Sequence, residues 1–187
     1  MPKRFFDFFL SLCLLILLFP IILSVGFVVA ITSNGPIFYW SERVGKNNIT
    51  FMMPKFRTMY VGTPQVATHL LISPCKHLTP VGAFLRRTSL DELPQLTSII
   101  RGQMSFVGPR PALFNQSDLI RLRTQNGVHS LVPGLTGYAQ VNGRDELDLT
   151  QKVEFDVEYL ICRSFWFDVK ILYQTFLKVI RRDAVSH

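Results

Sequence analysis

Several features are scarce in this sequence of 187 residues, and each scarcity excludes a class of protein. The three cysteines, Cys13, Cys75 and Cys162, are odd in number and share no metal-like spacing. They argue against a disulfide framework and suit a reduced cytosol. The four histidines are scattered, so no zinc motif is present. Beyond positive charge there is no nucleic-acid-binding fingerprint, and we expect no nucleic-acid partner.

Acidic residues are also scarce, most of all in the middle of the chain. The formal net charge is +7, and the pI is near 9.6. Such a balance indicates an anionic partner, and an aromatic content of 12% favours a membrane over a simple nucleic-acid binder. Residues 43–123 hold 11 Lys or Arg and only three acids. Two of those acids, Asp91 and Glu92, are neighbours, which makes the pair a candidate functional site.

One long stretch, residues 8–31, lacks charge altogether. As a helix it would measure roughly 36 Å, enough to cross a bilayer core of about 30 Å. It is consistent with a buried soluble helix, a spanning helix, or a bent segment that enters and leaves on one side. Pro20 interrupts helical hydrogen bonding, and basic residues flank both ends, with Lys3 and Arg4 before the segment. These features favour the bend, but proline kinks also occur in spanning helices, so both membrane interpretations stay open.

Local patterns predict an α+β chain that is predominantly helical. Residues 37–40 and 49–53 are the predicted strands of a small β-hairpin, with its turn at 45–48. Loops are predicted at 60–82, at 104–113 as an extended proline-stiffened segment, and at 132–144 as a turn-rich one. Helices are predicted at 81–87, at 91–102 with Gly102 as the stop, at 111–124, after 149, and at 167–182. The last is amphipathic with a basic tail, which is typical of an interfacial helix.

The acidic pair has two interpretations. In the simpler one Asp91 is a helix N-cap, Glu92 faces the helix dipole in the first turn, and Pro94 is tolerated there. In the other, the pair binds Mg²⁺, which takes one or two carboxylates plus substrate phosphates, while arginines hold the remaining oxygens. Four arginines near the pair in sequence favour the second interpretation: Arg86, Arg87, Arg101 and Arg110. Adjacent helical residues point about 100° apart, so the carboxylates do not face each other as a glycosidase pair does.

Two glycine- and proline-containing loops are candidate phosphate-binding segments. In "SFVGPRP", Pro109 and Pro111 stiffen the backbone around Arg110, and Gly108 leaves space for a ligand. An ordinary proline turn is the alternative. The loop "PGLTGYAQVNGR" offers backbone N–H groups and polar side chains, and a plain surface loop is its alternative. Its candidate binding side chains are Gln140, Asn142 and Arg144.

Together these motifs resemble a known family. "KFRTM", "RRTSLDELPQL", "RGQMSFVGPRP", "PGLTGYAQVNGR" and "FDVEYL" occur in the order and spacing of the bacterial sugar transferases, the monotopic polyprenyl-phosphate phosphoglycosyl transferases. The resemblance covers residues 3–182. The chain resembles the minimal form of the family, with one membrane segment and no extra N-terminal multi-span region.

The resemblance implies an activity. Family members transfer a phospho-sugar from a nucleotide sugar, usually a UDP-sugar, to polyprenyl (undecaprenyl) phosphate, and the products are a polyprenyl-diphosphate sugar and UMP. This is the first membrane step in assembling glycoconjugates such as O-antigen, capsule, exopolysaccharide or glycoprotein glycans. The reaction depends on Mg²⁺.

The resemblance also implies residue roles. Asp91 would be the nucleophile that forms a covalent phosphosugar intermediate, and Glu92 would support the metal or the acceptor phosphate, so both are candidate metal ligands. Arg110 matches the phosphate-binding arginine of the family. Pro20 matches the proline of the membrane helix break, whereas Phe19 stands where related segments have serine.

From this we expect two parts, residues 1–33 as a re-entrant membrane helix-break-helix and 34–187 as a compact cytosolic catalytic domain. The catalytic domain would lie on the cytoplasmic face of the bacterial inner membrane, in contact with its lipids. Two rival functions are a membrane-bound phosphodiesterase or hydrolase of lipid diphosphates, with water as the acceptor, and a non-catalytic basic scaffold that recruits partners by charge.

Overall fold

The computed structural model of the chain describes residues 2–64, 74–143 and 147–181. The helices of this part are α1 Pro2–Leu17, α2 Phe19–Thr32, α3 Gly82–Thr88, α4 Leu96–Ile100, α5 Ser117–Gln125, α6 Tyr138–Val141, α7 Leu149–Cys162 and α8 Phe165–Arg181. The strands are β1 Phe38–Val44, β2 Thr50–Phe56, β3 Ser105–Val107, β4 Ala112–Leu113 and β5 Gly134–Thr136. Short 3₁₀ helices occur at Lys46–Asn48, Pro74–His77, Leu90–Gln95 and Val128–Ser130. The predicted helix-rich α+β class is confirmed.

The hydrophobic N-terminal segment forms a bent pair of helices. The bend between α1 and α2 is 62°, and Leu18 is the residue between them. Pro20 lies in the first turn of α2, where a helix does not need the N–H that proline lacks. The predicted interruption is therefore confirmed, with the break two residues before the proline. Within the described ranges no helix alone has the length and apolar character to cross a membrane, whereas the bent pair taken together meets both criteria.

Polar side chains bind the start of α1 to the globular part. Lys3 donates to the carbonyl of Val107 at 3.0 Å and pairs with Asp168 of α8. Arg4 donates to the carbonyls of Ile99 and Ile100 at 2.6 and 2.5 Å. These carbonyls are at the C-terminal end of α4, where the carbonyl of Ile99 also accepts from the N–H of Gly102 at 2.9 Å. The two basic residues that the sequence suggested as a membrane flank therefore also dock α1 on the protein.

The two arms of the bent pair return to the same globular part. Asp7, buried in α1, accepts a hydrogen bond from the backbone N–H of Phe106 in β3 at 3.2 Å. In α2, Val25 and Val29 pack in one buried cluster with Phe56 of β2 and Leu85 of α3. The helix break at Leu18 therefore lies between the docked part of α1 and the docked part of α2.

The predicted hairpin is confirmed and is longer than expected. β1 and β2 pair antiparallel over their full length, with Phe38 opposite Phe56 and Val44 opposite Thr50. β4 pairs antiparallel with the other edge of β1, where Leu113 lies opposite Arg43. The helix predicted at 111–124 is therefore wrong in its first six residues, because β4 extends the backbone there and α5 begins only at Ser117.

The remaining local predictions are mostly confirmed. α3, α7 and α8 lie where helices were expected, and Gly102 ends the helical stretch of α4 with a φ of +81°. β3 and β5 form a parallel pair that joins the two predicted loops, with Val107 opposite Thr136. The predicted loop at 60–82 lies partly outside the described residues. Its described part contains the 3₁₀ helix Pro74–His77.

The main hydrophobic core lies between one face of the hairpin, α4, β3 and the last two helices. Its buried members include Phe51, Met53, Ile99, Phe106 and Ile171. Side chains at alternate strand positions share a face, so Lys55 of β2 and Arg43 of β1 project on the same side of the sheet as Phe51 and Met53. Two cations are thereby placed at the edge of an apolar core.

Candidate functional site

The acidic pair lies in the 3₁₀ helix Leu90–Gln95 and not at the start of an α-helix. The residue before this helix is Ser89, in the left-handed region with a φ of +56°. Pro94 has no N–H to donate inside the helix, and α4 begins only at Leu96. The N-cap interpretation of Asp91 is therefore wrong. Asp91 is only 6% exposed, which is too buried for a carboxylate that merely faces solvent.

Glu92 is held by two cations from distant parts of the chain. Its Oε1 accepts a hydrogen bond from Nζ of Lys55 at 2.8 Å and one from Nη2 of Arg110 at 3.1 Å. The side chains of Lys55 and Glu92 are each 15% exposed, so both charges are largely withdrawn from water. The predicted proximity of Arg110 to the acidic pair is thus present in the fold.

The two neighbouring carboxyl groups have different electrostatic environments. Burial alone would raise the pKa of Glu92, but Lys55 and Arg110 outweigh it and hold that pKa well below its usual range. For Asp91, burial and the charge of Glu92 raise the pKa, while Lys55, Arg86 and Arg110 oppose the rise. Glu92 is therefore a fixed anion and Asp91 the more basic carboxylate.

Arg86 is a further cation of the site. Its Nε donates to Oγ1 of Thr58 at 3.0 Å. Burial lowers the pKa of Arg86, while the charges of Asp91 and Glu92 raise it, so α3 brings this guanidinium close to the pair. Arg87, the next residue on α3, is exposed on the helix surface.

The loop that carries Arg110 is locked to the second glycine-rich loop. Backbone hydrogen bonds of 2.9 Å join the N–H of Gly108 to the carbonyl of Thr136, and the N–H of Gly134 to the carbonyl of Pro109. A Cβ on Gly108 would lie 2.4 Å from the carbonyl oxygen of Val132. The two predicted loops are therefore one structural unit, and Gly108 is required because the two backbones touch.

The polar side chains predicted in the second loop lie near this unit. Gln140 donates to the carbonyl of Leu135 at 3.5 Å, and Asn142 donates to the carbonyl of Tyr138 at 2.8 Å. Both amides are thus bonded within their own segment. Arg144 lies outside the described residues.

Sequence reasoning missed two cations of the site, Lys55 and Arg43. Arg43 donates to Oγ of Ser41 at 2.9 Å and to the carbonyl of Pro111 at 3.2 Å. Burial, with the charge of Arg110, lowers the pKa of Arg43 to about 10, although Glu92 opposes the shift. A signal was available for Lys55, because it follows the apolar residues Phe51 and Met53 at alternate strand positions. No such alternation marks Arg43, which follows Tyr39 and Ser41.

The donor set fits a metal ion that arrives with its substrate. Among the described residues there is no group of three or more His, Cys, Asp or Glu side chains able to hold an ion. Asp91 and Glu92 supply two carboxyl groups amid several cations. Mg²⁺ commonly takes one or two carboxylates and completes its shell with phosphate oxygens and water. The pair therefore fits Mg²⁺ bound with a diphosphate, and does not form an all-protein metal cage.

Asp91 is buried, Glu92 is partly buried, and four cations lie around them: Lys55, Arg86, Arg110 and Arg43. This arrangement defines a class of site suited to phosphorylated anions. Comparison with known proteins agrees with this class. A family model described as bacterial sugar transferase matches residues 1–182. The chain belongs to the bacterial sugar transferase family.

Several curated proteins resemble the chain. It is 38% identical over 183 residues to the UDP-glucose:undecaprenyl-phosphate glucose-1-phosphate transferase of Escherichia coli, a match that covers 94% of this chain and 39% of that protein. It is 35% identical over 199 residues to the undecaprenyl-phosphate galactose phosphotransferase of Salmonella typhimurium, covering 97% and 41%. It is 37% identical over 188 residues to the exopolysaccharide production protein ExoY of Sinorhizobium fredii, covering 92% and 83%. The chain spans about two fifths of the length of the first two relatives.

Proposed function

We propose that this protein transfers a sugar 1-phosphate from a UDP-sugar to a polyprenyl phosphate such as undecaprenyl phosphate, and releases UMP. The observation that carries the proposal is the neighbouring pair Asp91 and Glu92, whose two carboxyl groups have opposite pKa shifts among several cations. The names of the relatives support the two kinds of substrate. Relatives named for glucose and for galactose resemble the chain about equally, at 38% and 35% identity.

The reaction proceeds in two displacements at one phosphorus. In the first, a carboxylate oxygen of Asp91 attacks the sugar-proximal phosphorus of the UDP-sugar. The bond from that phosphorus to the bridging oxygen breaks, and UMP leaves. In the second, an oxygen of the polyprenyl phosphate attacks the same phosphorus, and the carboxylate of Asp91 leaves. Because its pKa is raised, Asp91 is a stronger nucleophile than an ordinary carboxylate once it is ionised.

The surrounding residues offset the charge of the diphosphate. Arg110 and Arg86 attract the phosphate oxygens, and Lys55 keeps Glu92 anionic and in place. Mg²⁺, when bound with the diphosphate, supplies the further positive charge that a carboxylate needs to approach a phosphate anion. Asp91 and Glu92 would hold it.

The same proposal places the chain at the cytoplasmic face of the inner membrane, with the bent pair as a re-entrant segment. Both arms of the pair dock on the same globular part, which supports two ends on the same side of the bilayer. Exposed apolar side chains cover the outer surface of the pair: Phe5, Phe9, Ile16, Leu17, Phe19, Leu23, Phe27 and Ile31. α8 adds an exposed apolar face with Trp166, Tyr173 and Phe176, as in an interfacial helix. α2 packs beside the 3₁₀ helix of the acidic pair, which would bring the site close to a lipid substrate.

A panel of UDP-sugars, assayed for UMP release with and without undecaprenyl phosphate, tests the proposal. We expect multiple turnovers only when one UDP-sugar and the lipid phosphate are both present, and no turnover by Asp91→Asn. Sustained UMP release without the lipid would instead indicate a hydrolase. No release with any sugar of the panel would indicate a non-catalytic protein. The exposed Arg121→Lys variant is the control for general effects of substitution.

A further inference from the structure

A buried ion pair lies behind the loop that carries Arg110. Arg123 of α5 donates through Nε and Nη2 to Oδ2 of Asp156 in α7, at 2.9 and 2.6 Å. Asp156 is 1% exposed and the side chain of Arg123 is 12% exposed. The remaining terminal nitrogen, Nη1, donates to the backbone carbonyl of Arg110 at 2.7 Å. The guanidinium of Arg123 therefore connects α5 and α7 to the backbone of Arg110, whose side chain contacts Glu92.

The Arg110 loop depends on such contacts for its position. Pro109 and Pro111 have no N–H groups, so neither neighbour of Arg110 can anchor the loop as a backbone donor. Two successive carbonyls, those of Arg110 and Pro111, accept from Arg123 and Arg43. Behind the loop lies a small pocket of about 30 Å³, which dense packing does not fill. Hydrogen bonds to its carbonyls therefore position this stretch of the loop.

We propose that Arg123, oriented by Asp156, is a positioning residue that aims the guanidinium of Arg110 at the phosphates of the substrate. The inference rests on the proposed function for the identity of that substrate. A pair that only joined α5 to α7 would not need the third contact, to the Arg110 carbonyl. Donation from a cation also offsets the negative end of that carbonyl dipole, which would otherwise oppose an approaching phosphate.

Double-mutant binding measurements test whether Arg123 acts through Arg110. The probe is UDP with Mg²⁺, titrated by calorimetry into the full chain and its Arg123→Lys, Arg110→Lys and double variants. Lysine keeps the positive charge, but its single ammonium group cannot reproduce the three contacts that the planar guanidinium of Arg123 makes. We expect Arg123→Lys to weaken UDP binding about tenfold. In the Arg110→Lys background the same change should weaken binding less than about twofold, because the group that it positions has already been removed.

The matched control is Arg121→Lys on the same helix. Arg121 pairs with Asp118 at 3.6 Å, with both side chains mostly exposed, and we expect its substitution to leave UDP binding within about twofold. Equal losses from Arg123→Lys in both backgrounds would overturn the inference, as would unchanged binding by Arg123→Lys alone.

Folding is checked by thermal unfolding of each variant, and Asp156→Asn is a second variant that keeps an acceptor oxygen for Arg123. It should weaken UDP binding in the same direction and show the same dependence on Arg110. If Arg123→Lys and Asp156→Asn both fail to fold, the pair is a folding element and the inference is wrong. If wild-type protein binds UDP with this coupling but releases no UMP from any UDP-sugar, the proposed function fails and the positioning role stands.

Discussion

Replacing Gly108 by alanine tests how tightly the two loops of the site are joined. A Cβ at this position would lie 2.4 Å from the carbonyl oxygen of Val132 and 2.9 Å from the backbone nitrogen of Gly134. Ordinary contact begins at 3.4 Å, so the nearest atom is about 1 Å too close. Both neighbours are backbone atoms and cannot rotate away as a side chain can. The two loops must therefore separate.

The size of the effect follows from what the separation breaks. Two backbone hydrogen bonds of 2.9 Å cross between the loops at this point, and each contributes about 0.5–1.5 kcal/mol. Overpacking adds about 1–3 kcal/mol. A loss of about 2–6 kcal/mol would lower the Tm of a chain of this size by roughly 5–20 °C. A displacement near 1 Å two residues before Arg110 should also lower the rate about 100-fold.

Thermal unfolding in detergent and UMP release measured well below the Tm provide the assay. Gly26→Ala in α2 is the control, because its Cβ would lie at ordinary distances, 3.6 Å from Phe56 and 3.8 Å from Ile37. Alanine is the better helix former by about 1 kcal/mol, so this variant should be no less stable than wild type. A Gly108→Ala protein with the Tm and rate of wild type would refute the interlocked loops.

Three further predictions concern the acidic pair, the Arg110 contact and the membrane segment. Arg110→Lys should lose about 30- to 1,000-fold in kcat/KM, since an ammonium does not replace a planar fork, and near wild-type rates would reduce Arg110 to a surface role. The pKa of Asp91 is raised in the folded protein. The contribution of this residue to the free energy of unfolding is therefore present at low pH and is lost as the pH rises through that pKa. Asp91→Asn should therefore have a higher Tm than wild type at neutral pH, and equal Tm values would contradict this. As the pH is lowered, UMP release by the wild type should begin to fall at a pH above 3.8, the ordinary pKa of an aspartate carboxyl group. After removal of the exposed Cys13, Cys75 and Cys162, single cysteines at positions 2 and 187 should both resist impermeant labels in spheroplasts; labelling at position 2 alone would indicate a spanning helix.

Local signals predicted much of this fold. Pro20 marked the interruption of the hydrophobic segment, Gly102 marked a helix end, and the turn at 45–48 marked the hairpin. Each of these depends on the backbone preferences of one or two residues. Where a local preference competed with a distant partner, prediction failed. Residues 112 and 113 pair with β1 and so do not join a helix.

The candidate site was predicted in part for the same reason. Asp91, Glu92 and Arg110 were found because an acidic pair and a proline-bracketed arginine are unusual within a short window of sequence. Lys55 joins them only through the register of a strand 37 residues earlier. Lys3, read as a membrane flank, also binds Asp168, 165 residues away, and no local pattern carries such a pairing.

The two-displacement mechanism requires that Asp91 carry the phosphosugar. The most direct measurement is a single pulse of UDP-sugar without polyprenyl phosphate, followed by rapid quenching and mass spectrometry with fragmentation between residues 91 and 92. We predict at most one UMP per enzyme, a phosphosugar on Asp91, no adduct in Asp91→Asn, and some adduct in Glu92→Gln. Steady-state kinetics should then be ping-pong. An adduct on Glu92, or intersecting-line kinetics with no adduct, would rule out Asp91 as the nucleophile.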